Sequence, residues 1–170
     1  LSDFINRAPD QFADAKYSAE KERSVGLGVM GFHSYLQKNN IPLESVMSKV
    51  WNKKIFKHIQ EQVDQSSKNL AEERGACPDA QDYGFKERFS NKTAIAPTAS
   101  ISVICGGASP GVEPVAANSY THKTLSGSFN VRNRYLQDLL EKHGKNTDEV
   151  WSSITTNQGS VSHLDFLTDI

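Results

Sequence analysis

Apolar residues recur at steps of three and four along one long segment, Leu43 to Arg74, and this spacing predicts an amphipathic helix. Glu44 in the first turn and Arg74 in the last turn suit the helix dipole, and Gly75 follows as a left-handed cap. The apolar positions are Val46, Met47, Val50, Trp51, Phe56, Ile59, Val63, Leu70 and Ala71.

Shorter patterns precede this helix. A helix is predicted over Leu1 to Ala15, broken near Pro9, and a polar helix over Tyr17 to Ser24. The apolar, glycine-rich run from Val25 to Met30 indicates a short buried strand, with glycines where a backbone or ligand approaches closely. The helix from Gly31 to Lys38 would then bury Phe32, Tyr35 and Leu36.

The glycines of this strand have the G-x-G-x-x-G spacing of a dinucleotide-binding loop, at Gly26, Gly28 and Gly31. We reject that function because charged residues stand where the fingerprint needs a hydrophobic strand. The acidic residue at about the right distance, Glu44, follows Pro42 at a helix start.

The second half of the chain alternates short elements with turns. Ala76 to Phe89 is predicted as a loop and Ala116 to Thr124 as a strand. Helices are predicted from Val131 to His143 and after a cap at Thr147 or Asp148, with Gly159 closing the latter. A further helix is expected to begin after Ser160, and the inward-facing side chains of the preceding one are Val150, Trp151 and Ile154.

The segment from Ser90 to Pro114 carries the strongest candidate chemistry. It predicts a buried strand (Thr93 to Ala96), a turn at Pro97-Thr98, a helix from Ala99 to about Cys105, and a short strand from Gly111 to Pro114. A helix N-terminus offers free N–H groups and a partial positive charge, which together suit an anion. Hydroxyl groups for the same purpose are present on Thr98, Ser100 and Ser102.

Two simpler interpretations stay open for this segment. Thr98 or Ser100 could be a plain N-cap of a structural helix. No basic residue lies in the turn, and the nearest ones in sequence after it, His122 and Lys123, could help to neutralise a phosphate or could be a solvated strand end.

The composition argues against a protein that binds nucleic acid or spans a membrane. The 170 residues carry 19 basic and 20 acidic side chains, so the net charge of −1 gives no bulk attraction to nucleic acid or membrane. No apolar run approaches the roughly 20 residues of a membrane span, and Cys77 and Cys105 form no metal-ligand cluster. These features favour a cytoplasmic protein, and the initial Leu1 suggests a piece of a longer chain.

Three phrases resemble the catalytic subunit of ribonucleotide reductase, in matching order and spacing. They are ERSVGLGVMGFHSYLQ at Glu22–Gln37, IAPTASIS followed by GG-x-SPGVEP within Ser90–Pro114, and THKTLSGSFNVRNRYLQDLL at Thr121–Leu140. The resemblance implies an α/β fold: part of a ten-stranded α/β barrel, helix-rich with short buried strands, with residues 1–170 forming one partial barrel domain.

The resemblance also implies a substrate-phosphate site at Thr98, Ala99, Ser100, Ile101 and Ser102. Some family members have an acidic or hydroxyl residue where this chain has Ala99 and Ile101, so only the backbone N–H groups of those two could contribute. No catalytic residue and no metal ligand is assigned, because the family's Asn-x-Cys-x-Glu loop, Tyr-Tyr pair and terminal cysteines do not occur in these residues.

For the whole enzyme, the resemblance implies class I ribonucleoside-diphosphate reductase, which replaces the ribose 2′-hydroxyl with hydrogen through a cysteine thiyl radical for DNA synthesis. It implies a small partner subunit with a diiron radical centre, thioredoxin or glutaredoxin as reductant, and a homodimeric catalytic subunit. No cofactor, nucleic acid or membrane is expected for this segment. The alternatives are a segment of the cobalamin-dependent (class II) enzyme and a non-catalytic nucleotide- or phosphate-binding module.

Overall fold

A computed structural model describes residues 5–124 and 127–167, without the side chains of residues 122–124 and 129. None of the helices in these residues is long and apolar enough to cross a bilayer. The α-helices are α1 (Ala13–Glu22), α2 (Phe32–Lys38), α3 (Val46–Arg74), α4 (Pro78–Asp82), α5 (Ala99–Ile104), α6 (Arg134–Lys142) and α7 (Asp148–Thr156), with short 3₁₀ turns at Asp10–Phe12 and Asp165–Leu167. One hairpin joins β1 (Ser119–Thr124) to β2 (Gly127–Arg132).

The chain divides into two compact units. The first comprises residues 1–29 and 49–97, and the second comprises residues 30–48 and 98–170. The single partial barrel domain over residues 1–170 stays a prediction.

The long helix α3 confirms the helix predicted from apolar spacing, and Gly75 ends it with a φ of +81°. It begins at Val46 rather than Leu43, so Glu44 lies before its first turn and not within it. The buried side chains of its second half, Ser67 and Ala71, are small, whereas Val46, Met47 and Val50 near its start are exposed. The half-buried apolar residues Val63 and Leu70 accompany these small buried residues along the second half of the helix.

In the first unit, two extended segments pair in parallel. The amides of Val25 and Leu27 donate to the carbonyls of Asn91 and Lys92, and the amide of Ala94 donates back to Leu27. The pairing amounts to a single isolated bridge between Leu27 and Thr93.

The prediction of a buried strand over Thr93–Ala96 is wrong, because Ile95 is 80% exposed. Parallel strands become buried when strands and helices cover both faces. In the part of the chain that the structure describes, this segment has only the one bridge to Leu27.

The glycines of the Val25–Met30 segment fit the predicted close approach. A Cβ atom on Gly26 would lie 2.8 Å from the Cβ of Ala94, and one on Gly28 would lie 2.8 Å from the carbonyl oxygen of Ala94. The two glycines therefore allow a close approach of Ala94, which agrees with the rejection of the dinucleotide interpretation.

The second unit has an apolar core where α6 meets α7. The core residues are Leu136, Leu140, Trp151, Ile154 and Leu164. Thr147 caps α7 by accepting a hydrogen bond from the amide of Val150, and Gly159 closes it with a φ of +82°, both as predicted.

Several predicted elements differ from the structure. Val131 and Arg132 belong to β2 rather than to a helix, because Asn133 accepts from the amide of Tyr135 and starts α6 at Arg134. The predicted loop over Ala76–Phe89 contains α4, whose first residue is Pro78, a favoured residue at that position.

The predicted strand over Gly111–Pro114 is wrong, since Gly111 and Val112 form a turn and Gly111 has a φ of +50°. After Ser160 the described residues contain only a 3₁₀ turn, Asp165–Leu167, and the rest of the predicted helix lies outside the described residues.

Candidate functional site

The turn that enters α5 has an unusual backbone. Thr98, the N-cap residue, has φ 49° and ψ 24°, in the left-handed region. For a β-branched residue such a conformation is a steric outlier, and outliers of this kind persist only where surrounding contacts hold them. Because strained residues concentrate at ligand sites, the conformation of Thr98 makes this turn a candidate binding site.

The first amides of α5 project from this turn. The helix begins at Ala99, and its first internal hydrogen bond runs from the amide of Ser102 to the carbonyl of Thr98 at 2.9 Å. The N–H groups of Ala99, Ser100 and Ile101 come before this donor and have no acceptor within the helix. Ala99, Ser100 and Ile101 are all exposed. The arrangement offers neighbouring N–H donors to an acceptor outside the helix.

The plain N-cap interpretation is wrong for Thr98, because its side chain makes no capping hydrogen bond to α5. Instead its Oγ1 accepts from the amide of Gly111 at 2.7 Å. The hydroxyl hydrogen of Thr98 remains available to a ligand, since an oxygen that accepts a hydrogen bond can still donate one.

The two serines of the turn differ. The side chain of Ser100 is exposed beside the first amides. Ser102 is 5% exposed, and its hydroxyl donates to the carbonyl of Ala99 at 2.7 Å. Ser102 therefore braces the first turn of α5 in this structure.

A loop over residues 106–115 connects both ends of α5 with the start of α2. At one end the amides of Gly107 and Ala108 donate to the Ser102 carbonyl. At the other end Gly111 donates to Thr98. Sequence reasoning missed this loop as a support for the turn, although its Ser-Pro-Gly phrase carries a turn signal.

His33 contacts the end of this loop. Its Nδ1 accepts from the amide of Val115 at 3.2 Å, so the neutral ring carries its proton on Nε2. Burial lowers the pKa of His33 from its usual value near 6.5. His33 therefore has a structural role at the end of the loop.

Other candidate groups do not join the turn. Among the described residues no three His, Cys, Asp or Glu side chains lie close enough together to hold a metal ion. Cys77 is buried and Cys105 is exposed, and both are free thiols. The side chains of His122 and Lys123 lie outside the described residues, so their contribution to the turn stays a prediction.

Comparisons with known proteins identify the class. The sequence model of the ribonucleotide reductase barrel domain matches residues 1–88 and 79–169. The chain therefore belongs to the ribonucleotide reductase barrel-domain family, and its fold is part of that α/β barrel.

Individual relatives agree with this class. The chain is similar to the ribonucleoside-diphosphate reductase large subunits of Invertebrate iridescent virus 3 (44% identity over 99% of this chain) and Invertebrate iridescent virus 6 (45% over 96%). Among solved structures, it is similar to the class Id ribonucleotide reductase alpha subunit of Actinobacillus ureae, with 39% identity, a TM-score of 0.84 and 99% of this chain covered.

The chain spans only part of these relatives. It covers 27% and 17% of the two viral proteins and 30% of the Actinobacillus chain. What the whole proteins do therefore enters only as a proposal.

Proposed function

We propose that this chain is part of the catalytic subunit of a class I ribonucleoside-diphosphate reductase. The activity is reduction of ribonucleoside diphosphates to deoxyribonucleotides by thiyl-radical chemistry. Support comes from the family match along almost the whole chain and from the similarity to the viral large subunits and the Actinobacillus alpha subunit. The radical-bearing and reducing cysteines belong to other parts of such a subunit.

Within that subunit, this segment holds the diphosphate of the substrate at the α5 turn. The observation that carries the assignment is the left-handed conformation of Thr98. Its hydroxyl makes no capping hydrogen bond to α5, so the first amides of the helix are uncapped. Ala99, Ser100 and Ile101 donate backbone N–H groups, Thr98 and Ser100 add hydroxyl donors, and Ser102 braces the turn.

Such a site acts by positioning. The described turn contains no acid, base or metal ligand, so its contribution to the rate is to fix the ribose relative to the radical centre. A misplacement of about 1 Å can cost roughly 100-fold in rate, which makes a rigid phosphate anchor valuable far from the reacting bond.

The partners follow from the class. The subunit works as a homodimer with a small radical-generating subunit that carries a diiron centre, and thioredoxin or glutaredoxin restores its cysteines. It resides in the cytoplasm, and this segment itself binds neither a cofactor, nucleic acid nor membrane.

A negative charge introduced at Ser100 would test the proposed phosphate contact. In the complete subunit, Ser100→Asp sets a carboxylate against the phosphates, and we expect the Kd for a nucleoside diphosphate to rise about tenfold or more. Ser100→Ala is the control for loss of the hydroxyl and should have the smaller effect. An unchanged Kd in Ser100→Asp would remove the phosphate assignment.

A cobalamin-dependent enzyme is the second candidate. The chain is 35% identical to the vitamin B12-dependent ribonucleoside-diphosphate reductase of Thermoplasma acidophilum over 83% of its length. Activity of the complete subunit with a small radical subunit, and none with adenosylcobalamin alone, would establish class I. The reverse dependence would establish class II.

A further inference from the structure

Two buried serines tie the 106–115 loop to the start of α2. The amide of Ser109 donates to Oγ of Ser34 at 2.8 Å, and the amide of Ser34 donates to Oγ of Ser109 at 3.1 Å. Ser109 is completely buried and Ser34 is 6% exposed. Each side chain thus satisfies the other residue's backbone, away from water.

A third hydrogen bond completes this contact. The amide of Gly31 donates to the carbonyl of Ser109 at 2.8 Å. The backbone N–H, the carbonyl and the hydroxyl oxygen of Ser109 therefore all bond to residues 31–34. Buried polar groups that lose such partners carry the full cost of desolvation, so this arrangement has one favoured geometry.

Two residues connect Ser109 to the turn before α5, the proposed phosphate site (called the phosphate turn below). Pro110 follows Ser109 and restricts the backbone, and the next amide, that of Gly111, donates to Oγ1 of Thr98. Fixing Ser109 therefore fixes the donor that the left-handed Thr98 depends on.

We propose that Ser34 and Ser109 are positioning residues for the substrate diphosphate. They touch no substrate; they hold Gly111 in place so that Thr98 keeps the conformation that exposes the first amides of α5. This inference rests on the proposed function of the turn and adds the residues that maintain it.

The test measures what the diphosphate adds to binding. In the complete subunit, the Kd for CDP and the Kd for cytidine are determined for Ser34→Ala, Ser109→Ala and the double variant. We expect the Kd for CDP to rise about tenfold in each single variant, because each loses one buried hydrogen bond. The Kd for cytidine should change less than twofold. Because the serines are partners, the double variant should lose less than the product of the single losses.

A matched control separates positioning from general destabilisation. Ser67 is also completely buried, and its hydroxyl accepts from the amides of Arg88 and Phe89 in the first compact unit. Ser67→Ala should lower the melting temperature as the other variants do, without a selective loss of CDP binding. If Ser34→Ala does not fold, Ser34→Cys replaces the hydroxyl with a somewhat larger thiol that is only a weak acceptor.

The outcomes distinguish this inference from the proposed function. If Ser100→Asp weakens CDP binding but Ser34→Ala and Ser109→Ala leave it unchanged, the positioning inference is wrong and the phosphate turn stands. If the serine variants weaken CDP and cytidine binding equally, as expected for a structural role only, the inference is also wrong. If Ser100→Asp itself has no effect, the proposed function fails first.

Discussion

At the scale of single residues, most groups around the candidate site have a polar partner that the sequence does not reveal. Thr98 pairs with Gly111, Ser102 with Ala99, and His33 with Val115. These partners lie between 3 and 82 residues apart in sequence. The hydroxyl-rich motif predicts anion chemistry, whereas the fold decides which hydroxyls remain available for it.

His33 gives the loop a dependence on pH. Its pKa is lowered by burial, so the folded loop binds fewer protons than the open loop just below pH 6.5. The stability that His33 contributes is present above pH 6.5 and is lost as the pH falls through that value towards the lowered pKa. A protonated Nδ1 would also face the Val115 N–H as a second donor.

We therefore expect hydrogen exchange at Val115, corrected for its intrinsic pH dependence, to become faster between pH 7 and 5.5. In His33→Asn the amide oxygen can accept the same bond without titrating, so this acceleration should disappear. Equal acceleration in both proteins would show that His33 does not control the loop.

At the scale of secondary structure, local signals predict the helices better than the strands. Apolar spacing, Gly75 and Thr147 place α3 and α7 because those signals lie within each helix. The exposure of Thr93–Ala96 could not be predicted from its apolar residues, because burial of a strand depends on covering elements from elsewhere in the chain. The hairpin strand β2 was missed because Val131 also fits the apolar side of the following helix.

The glycine contacts give a prediction at this scale. Gly26→Ala and Gly28→Ala should each destabilise the first unit by about 1–3 kcal/mol through overpacking against Ala94. Adding Ala94→Gly should restore Gly26→Ala, where Cβ meets Cβ, but not Gly28→Ala, where the new Cβ meets a backbone oxygen. Thermal unfolding measures the stability of each single and double variant. If Ala94→Gly restored the stability of both glycine variants, or of neither, the contacts described above would be wrong.

At the scale of the whole molecule, the resemblance of three phrases predicts the family, which the comparisons confirm. The five residues of the candidate phosphate site stay a prediction, and the contacts that support this turn were not foreseen from the sequence. Ser34 and Ser109 are 75 residues apart, and no local pattern distinguishes them from ordinary surface serines.

A structure of the complete subunit with a bound nucleoside diphosphate would test the phosphate site most directly. We expect phosphate oxygens within about 2.7–3.2 Å of the amide nitrogens of Ala99, Ser100 and Ile101, with Thr98 still left-handed. A diphosphate bound elsewhere, with these amides facing solvent, would show that the turn does not bind phosphate and is only a structural element of the barrel.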